Sequence, residues 1–445
     1  MKKFKSSKFN LCFRDDENNL FLFNSMKGGM VKINKKYSDD VENILLMEEI
    51  DEENFKNKGI DDIFNDLQKG GFIVPVELDE VLLLKTMHFK IRYANNYLSL
   101  AILPTLECNF NCVYCYEKEK KGVISDKVCE NILNFVKKQS KEIKLLTISW
   151  YGGEPLLYFD KIANLSEEMI KICNEQRISY NASLITNGYL LDNYIPYLER
   201  YKIHKIQVTL DGPPEIHDKR RKTLQGNGTY HRILENIKET LTKTENIIFH
   251  IRINIDKENL NYIPNFIEIL ANDPVISKYK NRVFPYPGIV SEYGNTCIDT
   301  SICFSLPAEY KRIVLTIYPI IIKHFKTRPS TQPKFIGCGA ISPQHYCIGP
   351  DGYIWKCWAE VGDYNLSIGK LDKNGKISIS NHNLFLKWLT YDPIEQCKRC
   401  KFLPQCMGGC YYYPIHTGKI KCNWLKFVIP EIGLILSRKR REKKC

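Results

Sequence analysis

Residues 106–116 read Leu106-Glu107-Cys108-Asn109-Phe110-Asn111-Cys112-Val113-Tyr114-Cys115-Tyr116. The spacing is Cys-x3-Cys-x2-Cys, and it follows an apolar run, Leu98–Pro104, that reads as a strand. Three thiolates packed this closely can wrap one face of a cubane. A 4Fe–4S cluster offers four irons, each wanting a ligand. Three cysteines leave one iron open to a group that is not protein. A structural zinc site would want a fourth protein ligand nearby, and Glu107 and Asn109 are poor candidates for it.

Downstream of this loop, strands and helices alternate. Apolar strands read at Leu98–Pro104, Leu145–Tyr151, Ala182–Thr186, Ile206–Leu210, Ile248–Ile255 and near Val283–Pro285. Helical periodicity reads between them at about 126–139, 159–175, 190–200, 229–241 and 260–270. Such alternation implies a parallel sheet with crossover helices. Six units are too few for a closed eight-stranded barrel, so the fold class is α/β: an open, partial (β/α)6 barrel of TIM type. Active residues then belong at the carboxyl ends of the strands.

Upstream, residues 1–90 read as a separate small unit. Leu11–Arg14 and Leu20–Asn24 form a hairpin signature, Met30–Ile33 a third strand, 38–47 and 60–69 helices, and Phe72–Val76 a short strand. That order suits a winged-helix-like module. The expected domains are therefore 1–90, a barrel over 91–305, and a cysteine-rich region with a closing helix over 306–445.

Hydrophobic residues are 44% and charged residues 26% of the 445, a globular composition. No apolar run approaches the ~20 residues that span a bilayer, and no signal peptide is read, so a cytoplasmic location without a membrane partner is expected. The net charge of +13 comes from basic residues interleaved with acidic ones, except in the tail Arg438–Lys444. A solvated terminus explains that tail, and no nucleic-acid partner is expected. Seventeen cysteines in a long chain of this kind point to metal ligation rather than disulfides. Cys12, Cys129, Cys173, Cys297, Cys303 and Cys445 are scattered and read as small hydrophobes.

Further strand ends carry polar groups. Trp150-Tyr151-Gly152-Gly153-Glu154-Pro155 closes the second strand, where two glycines allow a ligand close to the backbone and the Glu154 carboxylate can accept from an ammonium. Thr186-Asn187-Gly188 ends the third strand and Thr209-Leu210-Asp211-Gly212 the fourth, with His217, Asp218 and Arg221 following. Arg252 and Asn254 lie near the end of the fifth.

The Cys-x3-Cys-x2-Cys loop with Tyr114 before its last cysteine resembles the motif of the radical S-adenosylmethionine (SAM) superfamily. The resemblance implies that Cys108, Cys112 and Cys115 hold a 4Fe–4S cluster whose open iron chelates the amino and carboxyl groups of SAM. Reductive cleavage then yields a 5′-deoxyadenosyl radical. It further implies SAM contacts from Tyr114, from Gly152, Gly153 and Glu154, and from Thr209, Arg221 and Asn254.

A second constellation, Cys397-x2-Cys400-x5-Cys406-x3-Cys410-x11-Cys422, is preceded by Cys338-x13-Gly352-x4-Cys357. Order and spacing resemble the SPASM extension of radical SAM enzymes. The resemblance implies two auxiliary 4Fe–4S clusters, three clusters in all. Cys338, Cys357 and Cys410 would serve the nearer one, and Cys397, Cys400, Cys406 and Cys422 the outer one. Cys347 either completes the nearer cluster or is an apolar strand residue before the turn at Gly349–Gly352.

Enzymes with this extension mostly modify peptides or proteins. Anaerobic sulfatase maturases, which make formylglycine, place an acidic base directly after the cysteine that is Cys357 here, and this chain has Trp358 there. Maturases of ribosomally made peptides often carry a winged-helix-like module that pairs with a leader peptide by strand addition, and residues 1–90 fit that role. The expectation is a peptide maturase forming a thioether or similar cross-link, with a flavodoxin- or ferredoxin-type reductant. Formylglycine formation, carbon–carbon cross-linking or epimerisation, and a non-catalytic binder are the alternatives. The intact three-cysteine loop argues against the binder.

Overall fold

Each run expected as a barrel strand is one: β1 (Tyr97–Ile102), β2 (Leu145–Trp150), β3 (Ser179–Ile185), β4 (Ile203–Thr209), β5 (Ile248–Ile255) and β6 (Val283–Ile289). The computed structural model describes residues 3–115, 117, 121–290, 300–304, 306–327 and 330–442. Tyr116, Cys297, Cys445 and the side chains of the basic tail lie outside the described residues. Strands β1 to β6 pair in chain order and all in parallel. Four later strands extend the sheet beyond β1: β7 (His345–Ile348), β8 (Tyr353–Trp355), β9 (Gly369–Leu371) and β10 (Ile377–Ile379). Only β7 joins in parallel, and the rest are antiparallel. The result is a large, mostly parallel sheet, open at both edges among the described residues.

Residues paired across a parallel ladder share a face. One face carries Leu100, Ile102, Ile148, Trp150, Leu184, Ile206, Val208, Phe249 and Ile251, all buried. Helices Asp126–Gln139, Phe159–Gln176, Tyr230–Lys243 and Ile263–Asn272 connect these strands. The opposite face is largely polar. Ser149 and Ser183 hydroxyls lie 3.1 Å apart, Tyr286 donates to Gln207 at 2.7 Å, and Ser99 meets His345 Nδ1 at 3.1 Å. A packed barrel would fill that side with branched apolar residues; a polar one suits a ligand.

The helix expected over 190–200 is instead a 3-10 turn (Leu191–Tyr194) and a single α turn (Ile195–Leu198). Pro196 lacks the N–H a longer helix needs and disfavours helix in the residue before it.

The described chain divides into two compact units, one of Ala94–Arg328 and Ala340–Thr390, the other of Met1–Tyr93, Pro329–Gly339 and Tyr391–Cys445. The region expected to stand apart as 306–445 is thus shared between them, because β7 pairs with β1 and draws 340–390 into the barrel's sheet. In the other unit, Asn10–Arg14, Leu20–Asn24 and Gly29–Ile33 form the expected antiparallel meander, and Phe4–Ser6 pairs with Ile73–Pro75. A core of Phe4, Leu20, Leu22, Val41, Ile44, Phe55, Phe64 and Leu67 closes beneath them. A helix the sequence reading left out, Glu80–Arg92, follows.

Candidate active site

The cysteine loop has a ladder of its own. Phe110–Cys112 pairs antiparallel with Arg221–Thr223, Cys112 opposite Arg221. Two further backbone bonds extend it, Val113 N to Arg220 O at 3.1 Å and Leu224 N to Asn109 O at 3.0 Å. Cys108 Sγ accepts from Phe110 N at 3.4 Å. Burial, followed by the charge of Glu154, pushes the Cys108 thiol up to about 12, and Cys112 and Cys115 lie close enough to add to the shift. Burial lifts Cys115 to about 11. All three are protonated near pH 7 without metal, so iron must displace their protons to bind. Among the described residues no three Cys, His, Asp or Glu side chains converge on a point for a single ion. Three neighbouring thiols are a donor set that fits a multi-iron cluster, in which each iron would take its own thiolate.

The Gly152-Gly153-Glu154 turn braces that loop. Gly153 N donates to Thr105 O at 3.2 Å and Glu154 N to Glu107 O at 2.8 Å. A Cβ on Gly152 would stand 2.2 Å from Thr105 O, and one on Gly153 2.1 Å from Glu107 O. The glycines therefore admit the cysteine loop's backbone. Glu154 is 0% exposed, and its carboxylate accepts from Leu156 N at 3.0 Å, Thr186 Oγ1 at 2.7 Å and Asn187 N at 2.7 Å, which hold it inside the turn. Asn187 links the third strand's end back to the loop, donating to Asn109 Oδ1 at 2.7 Å.

Tyr114 is a hub. Its hydroxyl donates to Asp211 through a short bond and accepts from Arg221 Nη1 at 2.9 Å and Asn254 Nδ2 at 3.0 Å. Asp211 also takes Asn254 N at 2.9 Å. Arg220 lies over the Tyr114 ring at 5.1 Å and pairs with buried Asp256 at 2.7 Å. Three residues predicted separately, Tyr114, Arg221 and Asn254, thus belong to one network; Thr209 is buried at the end of β4, opposite Arg252. Asp211, Arg220, Asp256 and Asn259 were not predicted as site residues. Their signal was the Asp211-Gly212 turn at a strand end and the Arg220-Arg221 pair. His217 and Asp218 are structural. His217 Nδ1 accepts from Asp211 N at 3.2 Å, and Asp218 accepts from Thr229 N at 2.7 Å and Tyr230 N at 2.9 Å. Arg252 donates to Asn254 Oδ1 at 2.7 Å and lies where a Cβ on Gly288 would come within 2.9 Å of its guanidinium.

On the polar face near β7, Cys347 is fully buried among Ala101, Leu103, Tyr151 and Trp355, its Sγ 3.8 Å from His345 Nε2. Trp358 packs its ring on Tyr151 at 4.7 Å. The nearest acid after it, Glu360, is buried and accepts from Cys357 N and Trp388 Nε1, each at 3.0 Å.

The remaining cysteines of the second constellation lie in the other unit. Burial, then the neighbouring Cys400, Cys406 and Cys422, pushes Cys397 up to about 11. Cys406 feels Cys400 and Cys422 in the same way. Cys397 and Cys406 thus each have Cys400 and Cys422 close by. Burial raises Cys410 as well, and Cys338 lies beside Tyr411.

Residues 102–270 match the sequence profile of the Radical SAM superfamily, which covers the cysteine loop and β2 to β5. Residues 102–270 are thus a radical SAM domain, and the chain is an enzyme. It is 24% identical to the radical SAM cyclopropyl synthase TigE of Paramaledivibacter caminithermalis, over 95% of this chain and 94% of that one. It is 23% identical to a cysteine-type anaerobic sulfatase-maturating enzyme of Clostridium perfringens, over 70% and 88%. Among solved structures, native anSMEcpe with bound AdoMet and Kp18Cys peptide shares the fold, with a TM-score of 0.60, 20% identity and coverage of 78% and 99%. Streptococcus suis SuiB superposes at 0.50, 18% identity, over 92% and 96%. The radical SAM domain of residues 102–270 supports SAM and an iron–sulfur cluster as its cofactors.

Proposed function

We propose that this chain matures a ribosomally made peptide by removing hydrogen from an unactivated carbon and closing a new bond there, with a thioether as the leading product. A cluster on Cys108, Cys112 and Cys115, with SAM on its open iron, supplies a 5′-deoxyadenosyl radical when bound. The protein's own part is positional. The Gly152–Glu154 turn and the Arg221–Thr223 ladder fix the thiols, while Tyr114, Asp211, Arg221 and Asn254 set the wall beside them.

The observation that carries the reading against formylglycine formation is the surroundings of Trp358. The indole is occupied by Tyr151, and Glu360 is committed to Cys357 N and Trp388. Among the described residues, the carboxylate next after Cys357 is thus engaged elsewhere, which disfavours it as the base that making an aldehyde from a thiol or alcohol requires. Closing the cross-link, like making an aldehyde, requires the proton of the partner group to leave to solvent or a base, and it also needs an acceptor for the second electron. The seven cysteines Cys338, Cys357, Cys397, Cys400, Cys406, Cys410 and Cys422 are the proposed ligands of two auxiliary clusters for that purpose. The meander of residues 10–33 offers Gly29–Ile33 as an edge strand, paired on one side only among the described residues, to a leader peptide.

Carbon–carbon closure is the second reading. It is favoured by the near full-length match to a cyclopropyl synthase. The test is anaerobic incubation of reconstituted enzyme with the short peptide encoded beside its gene. A product two mass units lighter supports either closure. Loss of one iodoacetamide-reactive thiol marks a thioether, and full retention of thiols marks a carbon–carbon bond. An unchanged peptide, alongside formylglycine in a sulfatase peptide, would overturn the proposal.

A further inference from the structure

The helix Glu80–Arg92 has its polar and apolar sides reversed. Leu83, Met87 and Ile91, one stripe, are exposed, while Leu84, His88 and Arg92, the next, are buried. The reason is what the buried stripe meets. Leu84 packs with Phe9, Met26, Ile394, Leu403 and Met407, against which Cys397 and Cys400 also pack. His88 Nδ1 meets Phe335 O at 2.7 Å, and Arg92 Nη1 donates to Tyr391 O at 2.7 Å. Lys85 pairs with Asp392 at 3.0 Å, and Asp392 caps the helix that ends at Cys397. The turn after Leu20–Asn24 is held in the same way. Ser25 Oγ donates to Lys401 O at 2.5 Å, inside the loop between Cys400 and Cys406.

The segment on the receiving side has little regular structure to hold it. Its helices Pro393–Cys397, Leu403–Cys406 and Tyr412–Thr417 are five, four and six residues long. Elements this short do not order themselves, and a metal shared by their side chains supplies the missing folding energy. The meander, by contrast, sits on its own core of Leu20, Leu22, Val41, Phe55 and Leu67, which contains no cysteine.

We propose that iron held by Cys397, Cys400, Cys406 and Cys422 is the clasp for the helix Glu80–Arg92 and the Asn24–Gly29 turn, so that losing it releases both while the core beneath the meander stays folded. The step is ligand exchange without redox change: four thiols give up protons on binding iron and regain them on its loss. It rests on the outer cluster proposed above but on no particular substrate. The enzyme would thereby lose its grip on the helix that follows the amino-terminal fold whenever its outer iron is lost.

Hydrogen–deuterium exchange on the full anaerobic chain tests this, with iron counted in each sample. Parent, Cys400→Ser and Cys112→Ser are compared, the last removing only a ligand in the other unit. In Cys400→Ser, amides of 80–92 are expected to exchange about tenfold faster or more, and those of 41–45 and 61–69 within about twofold of the parent. Cys112→Ser should leave 80–92 unchanged. Should Cys400→Ser aggregate, chelator-treated parent takes its place. Leu84→Ala, which keeps every cysteine, should reciprocally loosen 391–406. Equal protection of 80–92 after proven iron loss, or loosening that spreads equally to 41–69, overturns the clasp. A parent whose iron never exceeds that of one cluster instead removes the outer-cluster reading beneath it.

Discussion

Replacing Gly153 with alanine asks whether the glycine turn serves the cysteine loop or a ligand. The added Cβ would stand 2.1 Å from Glu107 O, 2.5 Å from Glu107 C and 2.6 Å from Leu106 O. All three are backbone atoms, so no side chain can swing aside. Ordinary contact begins near 3.4 Å, which means the two strands of backbone must part by more than about 1 Å. That displacement stretches the bonds from Gly153 N to Thr105 O and from Glu154 N to Glu107 O. Overpacking costs about 1–3 kcal/mol, and the two strained hydrogen bonds about 1 kcal/mol each. The sum, about 3–5 kcal/mol, is small enough for the chain to fold. It falls on Glu107, the residue before Cys108, so the thiol moves with it. The expected result is a folded variant that binds less iron at the loop and forms 5′-deoxyadenosine at least about 100-fold more slowly than the parent. Leu315→Ala, at a half-exposed position of the helix Pro307–His324, is the control and should match the parent. A Gly153→Ala enzyme with full iron and radical formation within threefold of the parent would refute the bracing role.

Tyr114→Phe should strip Asp211, Arg221 and Asn254 of a shared partner and cost about 2–4 kcal/mol, seen as a lower melting temperature together with weaker SAM binding by calorimetry. Arg220→Ala would take from buried Asp256 its paired cation and from buried Asp211 one of its nearby cations, and a loss of about 3–5 kcal/mol in urea unfolding is expected. Asp15 gives a pH signature. Burial alone would raise its pKa, but Lys32 and the Asn19 backbone and side chain outweigh that and hold it at about 2. A depressed carboxylate stabilises the fold above its ordinary value near 3.8, and that contribution is lost as pH falls towards 2. Asp15→Asn should therefore cost about 1 kcal/mol at pH 7, after allowing for solvent screening, with the difference from the parent closing below pH 3. A difference independent of pH would contradict it.

The order of the barrel was legible because each strand is a local apolar run and the crossover helices repeat their apolar residues at helical spacing, one of them with a start signal as well. Ser125, which caps Asp126–Gln139, is that signal. The site was legible only as residue types at strand ends. Their packing partners were not, because Gly153 and Glu154 bond to Thr105 and Glu107 beside the cysteine loop, and the Glu154 carboxylate accepts from Thr186 and the Asn187 amide on the next strand end, none of them local in sequence. The three-residue ladder between the cysteine loop and Arg221–Thr223 is too short to show a period. The sharing of 340–390 with the barrel escaped for a similar reason: His345–Ile348 reads as an isolated apolar patch until β1 supplies its partner.

That partnership has a consequence for biosynthesis. Ser99 and His345 are separated by 246 positions. At about 5–20 residues per second, a ribosome needs about 12–50 s to deliver the second after the first. For that interval one flank of the nascent barrel, Tyr97–Ile102, presents unpaired backbone amides and carbonyls at an open edge, the usual seed of intermolecular pairing. Poor yields of soluble enzyme at high expression rates would then have their origin in this strand, and slower translation or holdase chaperones should relieve them.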